Sequence, residues 1–79
     1  MNLDAKRHSH LNPTKGNIKI DADHTIKSID LYDVQGRILQ TSIENTTTAK
    51  LDIANKANGI YFVKITTERG TNIEKVVKE

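Results

Sequence analysis

From residue 17 onward, apolar side chains recur at every second position in short bursts separated by polar clusters, the period of a half-buried β-strand rather than of a helix. In "NIKID" the pair Ile18 and Ile20 shares a face. "TIKSIDLYD", residues 25–33, sets Ile29 and Leu31 on one side and Asp30 and Tyr32 on the other. "RILQTSI" gives Leu39, Thr41 and Ile43 as an inward set, and "AKLDI" gives Leu51 and Ile53. "GIYFVKITTE" is the strongest strand, rich in β-branched and aromatic residues, with Tyr61, Val63, Ile65 and Thr67 on one face. "NIEKVVK" returns as the last strand.

The segments between these bursts carry turn chemistry. In "NPTKG", residues 12–16, Pro13 fixes its own φ and Gly16 permits a positive one. "DADH", residues 21–24, reads as a turn, and "ENTTT", residues 44–48, as a loop or frayed strand. "YDVQGRILQ" holds a tight reversal in which Gly36 supplies the positive φ. "ANKANG", residues 54–59, has room for one helical turn but not for an independent helix, and "ERGT" turns the chain into its last strand. Strand after strand at this spacing predicts an all-β antiparallel sandwich. Residues 1–11, "MNLDAKRHSHL", show no period and read as a tail or linker remnant, so the domain is expected over residues 12–79.

Composition narrows the function more than it narrows the fold. The 79 residues allow one small domain with a thin core. A net charge of +2, from 12 basic and 10 acidic side chains scattered along the chain, is too weak for a nucleic-acid footprint. There is no cysteine, hence no disulfide or thiolate site. The apolar run at residues 60–63 is far too short to cross a bilayer.

Chemistry-bearing constellations are sparse. His8 and His10, with His24 as a third imidazole, could in principle hold zinc or copper, but nothing closes a coordination shell. "DADH" supplies carboxylates without the oxygen ligands a calcium loop needs. Ser9, Ser28 and Ser42 sit in no nucleophile elbow, and the four glycines are isolated, so no phosphate loop is present. "NTT", residues 45–47, matches a glycosylation sequon too short to weigh. The expectation is a protein with no active site, metal or cofactor, whose business is its surface. Lysines on exposed strand edges guard against aggregation or meet a partner.

Four segments taken together carry a resemblance. "NPTKGNIKI", "IKSIDLYDVQGRILQ", "ANGIYFVKI" and the closing "KVVK" resemble, in order and spacing, the type A C-terminal sorting domain of type IX secretion cargo, known from Bacteroidota. Asn12, Pro13 and Gly16 match its opening turn, and Tyr32, Asp33, Gly36 and Arg37 its hairpin. Gly59, Tyr61, Val63 and Lys64 match its Gly-x-Tyr-x-Val-Lys strand, and Lys75 and Lys78 fall in its basic last strand. "HSHL" stands where the family usually has a strand and an aromatic-Pro pair.

The resemblance implies a small immunoglobulin-like antiparallel β-sandwich of about six to seven strands. It also implies a non-catalytic address, read by an outer-membrane translocon and a cell-surface sortase that anchors the cargo. The recognition candidates are then Pro13, Gly16, Asp33, Gly36, Arg37, Gly59, Tyr61, Lys64, Lys75 and Lys78. The 79 residues include neither cargo nor signal peptide, so the expected setting is a longer precursor that reaches the surface or medium through the periplasm and outer membrane. Removing residues 75–79 is expected to strand such a cargo in the periplasm. The alternative is an immunoglobulin-like adhesion or carbohydrate-binding accessory domain, which needs an exposed aromatic platform drawn from Tyr32 and Phe62. An unpaired edge next to residues 12–20 is open to self-association. Arg37, which the turn itself does not require, is either a solvated or internally paired charge or part of what a partner reads.

Overall fold

Four long strands account for most of the residues, 14–79, that the computed structural model describes. They are β1 (Asn17–Tyr32), β2 (Ile38–Asp52), β3 (Gly59–Thr67) and β4 (Gly70–Lys78). All pairings are antiparallel, in the order β2-β1-β3-β4. The fold is therefore all-β, as the period-2 pattern predicts. Its described part is one four-stranded sheet, not a sandwich of six to seven separate strands.

The difference lies in two polar segments that bend strands without ending them. "DADH" is not a turn: β1 runs through it, and five steps from Asp21 to Ile26 face only two on β2, from Thr48 to Thr46. "ENTTT" likewise stays in β2, where β-branched threonines sustain an extended chain on a solvated edge. Extra residues on one strand of a pair sharpen twist and bend. Below the bend, residues 17–21 pair with residues 48–52; above it, residues 26–32 lie between β2 and β3.

This curl lets one sheet enclose a core. Ile18, Ile20, Ala49, Leu51 and Ile53 from one limb form a single buried cluster with Ile29, Leu31, Tyr61, Val63, Ile65 and Val76 from the other. At about 1.5–3 kcal/mol for each fully buried large side chain, this cluster is the main source of stability. The first limb also reaches the far edge of the sheet. The Thr14 amide donates to the Val77 carbonyl at 2.9 Å and the Glu79 amide to the Thr14 carbonyl at 2.9 Å, a parallel bridge between Thr14 and Lys78.

Bulges also reset the alternation. Ile26 and Ile29 are both buried although three residues apart, because Lys27 is an extra residue in the register with β3; against β2 the irregularity is reversed, three steps of β2 from Thr46 to Ile43 facing two of β1. Below the bend the inward phase is Ala49 and Leu51 in β2, continued by Ile53 just after the strand. Above it, Gln40 and Ser42 lie opposite buried Leu31 and Ile29, so they take the core side. The expected inward set of Leu39, Thr41 and Ile43 is thereby corrected: Thr41 is exposed, Leu39 is 37% exposed and Ile43 80%. A one-residue change of phase turns every side chain to the other face.

The "ANKANG" segment forms a turn, its Lys56 amide donating to the Ile53 carbonyl at 2.9 Å. The expected tail at residues 1–11, with Asn12 and Pro13, falls outside the described residues.

Candidate recognition surface

The hairpin between β1 and β2 is closed by a single carboxylate. Asp33 Oδ1 accepts from the Gln35 amide at 2.9 Å and the Arg37 amide at 3.0 Å, while Oδ2 accepts from Arg37 Nε at 2.8 Å. The Asp33 amide donates to the Arg37 carbonyl and the Gly36 amide to the Asp33 carbonyl, each at 3.0 Å. Gly36, at φ +87°, meets no neighbour within 4 Å, so the backbone conformation rather than space requires glycine here. The Arg37 amide, then its guanidinium, and the Gln35 amide hold the Asp33 carboxyl below the usual carboxylate range, against the opposing effect of partial desolvation. Arg37 is thus internally paired, yet 72% of its side chain remains exposed, held in a fixed direction at the tip of the sheet.

Several other candidates have internal duties. Gly16 is buried against Ala54, and its carbonyl accepts from the Ile53 amide at 2.7 Å. Tyr61 is in the core, with its hydroxyl donating to the Ala57 carbonyl at 2.6 Å. Lys78 is buried and donates from Nζ to Asn58 Oδ1 at 3.2 Å. Gly59 opens β3 at φ +152° with open space around it. Lys64 and Lys75 stand on the outer face, half-buried and exposed respectively.

Register lays that outer face out in rows. Ile38, Tyr32, Phe62 and Lys75 form one row across the four strands. Thr41, Asp30, Lys64 and Ile73 form the next. The two rows and the hairpin bound an open groove of about 410 Å³ with Tyr32, Val34, Phe62 and Ile73 as apolar walls and Asp33 and Lys64 at its polar margin. Tyr32 and Phe62 are cross-strand partners and half-buried. Val34 and Ile73 are 63% and 65% exposed, so the groove's apolar walls face solvent.

Val34 and Ile73 are the residues that strand patterning passes over, and each leaves a signal. Ile73 is out of phase with buried Val76 and Lys78 on the same strand, and Val34 places a β-branched apolar side chain in a turn that needs none. Among the described residues no group of three or more His, Cys, Asp or Glu side chains could hold a metal; His8 and His10 lie outside them. No described helix is long and apolar enough to cross a membrane.

What the surface offers is shape and fixed charge rather than reactive groups. No curated protein is similar enough to the chain to count as a relative. Residues 12–79, however, match the secretion system C-terminal sorting domain along their whole length, and the chain belongs to that family of type IX secretion signals.

Proposed function

We propose that the domain is a non-catalytic address on a longer precursor, read by the outer-membrane translocon at the Asp33–Arg37 hairpin and the groove beside it. A cell-surface sortase then removes it and anchors the cargo. Family membership supports a sorting signal that engages the secretion machinery and leads to a secreted or cell-surface fate. The observation that carries the choice of surface is the hairpin itself. Its aspartate spends three hydrogen bonds aiming an arginine into solvent, next to apolar walls that serve no core. Lys64, at the groove margin, and Lys75, one strand over, add positive charge to the same face. Residues 1–11 would serve as the link to the cargo.

Gly16, Gly59, Tyr61 and Lys78 are then family residues because they build the fold, and Asp33 and Gly36 because they shape the turn. Arg37 and Lys64 are the side chains a reader touches. Removing residues 75–79 is a poor test, since it also deletes buried Val76 and Lys78. Arg37→Ala and Ile73→Asp are better, because both positions are exposed. Each is placed in a signal-peptide-bearing reporter fused to this domain and expressed in a host with the pathway. The expected result is a folded fusion that accumulates in the periplasm. Full export of a Arg37→Ala, Ile73→Asp double variant would refute this surface as the reader's contact.

Carbohydrate binding is the second reading, favoured by the adjacent Tyr32 and Phe62 rings on the outer face. It predicts glycan binding that is lost on Phe62→Ala and is independent of Arg37.

A further inference from the structure

Asn58 is the one asparagine in the chain that is followed by glycine. In such a pair the glycine nitrogen can attack the asparagine side-chain carbonyl, because no Cβ crowds the five-membered ring that forms. The reaction needs a carboxamide free to turn toward its own main chain, a neighbouring amide free to lose its proton, and water. The structure supplies the water and withholds the other two. Asn58 is exposed, but its Oδ1 accepts from Lys78 Nζ at 3.2 Å, so the carboxamide is pinned by an ammonium on a buried stem.

The amide is held by the same lysine. Gly59 and Lys78 are partners at the end of the β3–β4 ladder. The Thr14 amide donates to the Val77 carbonyl and the Glu79 amide to the Thr14 carbonyl, both on the side of β4 away from β3. Strand alternation therefore turns the Lys78 N–H and C=O toward Gly59, and the Gly59 amide donates into that pair. Side chain to side chain and main chain to main chain, Lys78 occupies both reacting groups. No other atom would stand within 4 Å of a Cβ at Gly59, so little else confines the site.

We infer that Asn58–Gly59 is a spontaneous deamidation site latched by the end of β4, so that detachment of that end is recorded as a covalent change. When Lys78 leaves, the Gly59 nitrogen gives its proton to water and bonds to Asn58 Cγ, and the carboxamide nitrogen departs as ammonia, leaving a cyclic imide. Water then opens the ring at either carbonyl, giving aspartate or isoaspartate at position 58. No oxidant, reductant or enzyme is required. Isoaspartate routes the main chain through the side-chain carbon, which lengthens the link into β3 and carries Gly59 out of register with Lys78. A domain held open long enough to form it does not close again in the same way.

The inference does not rest on the sorting reading. The test incubates the full chain at neutral pH and follows ammonia release and the acidic charge variant, mapped to Asn58 by peptide mass spectrometry. Folded wild type is expected to react far more slowly than the same chain in urea. A chain lacking Lys78 and Glu79, which keeps buried Val76, should fold by circular dichroism and react at least about tenfold faster than wild type, since each hydrogen bond lost is worth a factor of several. Glu79→Pro removes the amide that donates to Thr14, leaves Lys78 in the chain, and should also accelerate the reaction by fraying the end of β4. Gly70→Ala is the control, because it strains the turn at the opposite end of the β3–β4 ladder. Its rate should stay close to wild type, as local opening of one end does not require opening of the other. Folded wild type that reacts as fast as the chain in urea overturns the inference. So does a folded truncated or Glu79→Pro chain that reacts no faster than wild type, or a Gly70→Ala chain accelerated as much as they are.

Discussion

Replacing Gly16 with alanine brings two separate costs together at one position, and the four-stranded curl predicts their sizes. The backbone there has φ +136°, a region that side-chain-bearing residues rarely enter, at a cost of about 1–3 kcal/mol. An added Cβ would stand 2.6 Å from the Ala54 Cα, 2.8 Å from its Cβ and 2.9 Å from its amide nitrogen. Overpacking of that kind costs a further 1–3 kcal/mol or so. Gly36 is the internal control: its φ is also positive, at +87°, but no atom lies within 4 Å, so Gly36→Ala incurs only the first cost. Thermal unfolding followed by circular dichroism should therefore place Gly16→Ala below Gly36→Ala, at roughly 4–8 °C per kcal/mol for a domain this size. Because the closest atoms include Ala54 backbone, adding Ala54→Gly should recover only part of the loss. Equal melting temperatures for the two single variants, or complete rescue by Ala54→Gly, would refute the close approach of the two backbone segments. In an export assay, a defect of Gly16→Ala should follow the unfolded fraction, since the residue is buried away from any reader.

Three further outcomes are expected. The folded-state pKa of Asp33 lies below its unfolded value, so its contribution is full above the unfolded pKa and fades as pH falls through the folded one. The stability gap between wild type and Asp33→Asn should accordingly be largest near neutrality and close in acid, as read by urea unfolding across pH. Tyr61→Phe removes the hydroxyl that donates to Ala57 while keeping the ring in the core, and should cost about 0.5–1.5 kcal/mol in the same assay. Lys78→Met keeps the buried stem but loses the bond to Asn58, and should be milder than Lys78→Ala, which leaves a void as well.

The parts of this fold that sequence reveals are those where alternation meets a clean turn. β3 and β4 are read nearly residue for residue, because Tyr61, Val63 and Ile65 keep one phase from Gly59 to the turn before Gly70. The hairpin at residues 33–37 is likewise legible, as is the placement of Tyr32 and Phe62 away from the core. β1 and β2 are harder, because their polar middles have the composition of turns and the geometry of bent strands. A threonine-rich edge is satisfied by water on one side and a ladder on the other, and nothing local announces that the chain stays extended. Period-2 counting also assumes an unbroken phase; the shift between Asp21 and Ile26 and the extra β2 residue between Thr46 and Ile43 break it, so Leu39, Thr41 and Ile43 face out. For the candidate surface, the motif residues were visible and their division of labour was not. Only tertiary contacts separate Lys78, bound to Asn58 inside, from Lys64 outside.

The bridge between Thr14 and Lys78 also governs how the domain bears load. The two segments run parallel, so the chain leading into Thr14 and the chain leaving Lys78 depart in opposite directions along the same line. Tension drawn between a tethered cargo ahead of the domain and an anchor at the end of β4 would pull the two 2.9 Å hydrogen bonds lengthwise and simultaneously, in shear, instead of opening them one after the other like a zipper. The contact that closes the curl is therefore also its mechanical clamp, resisting any pull applied between Thr14 and the end of β4.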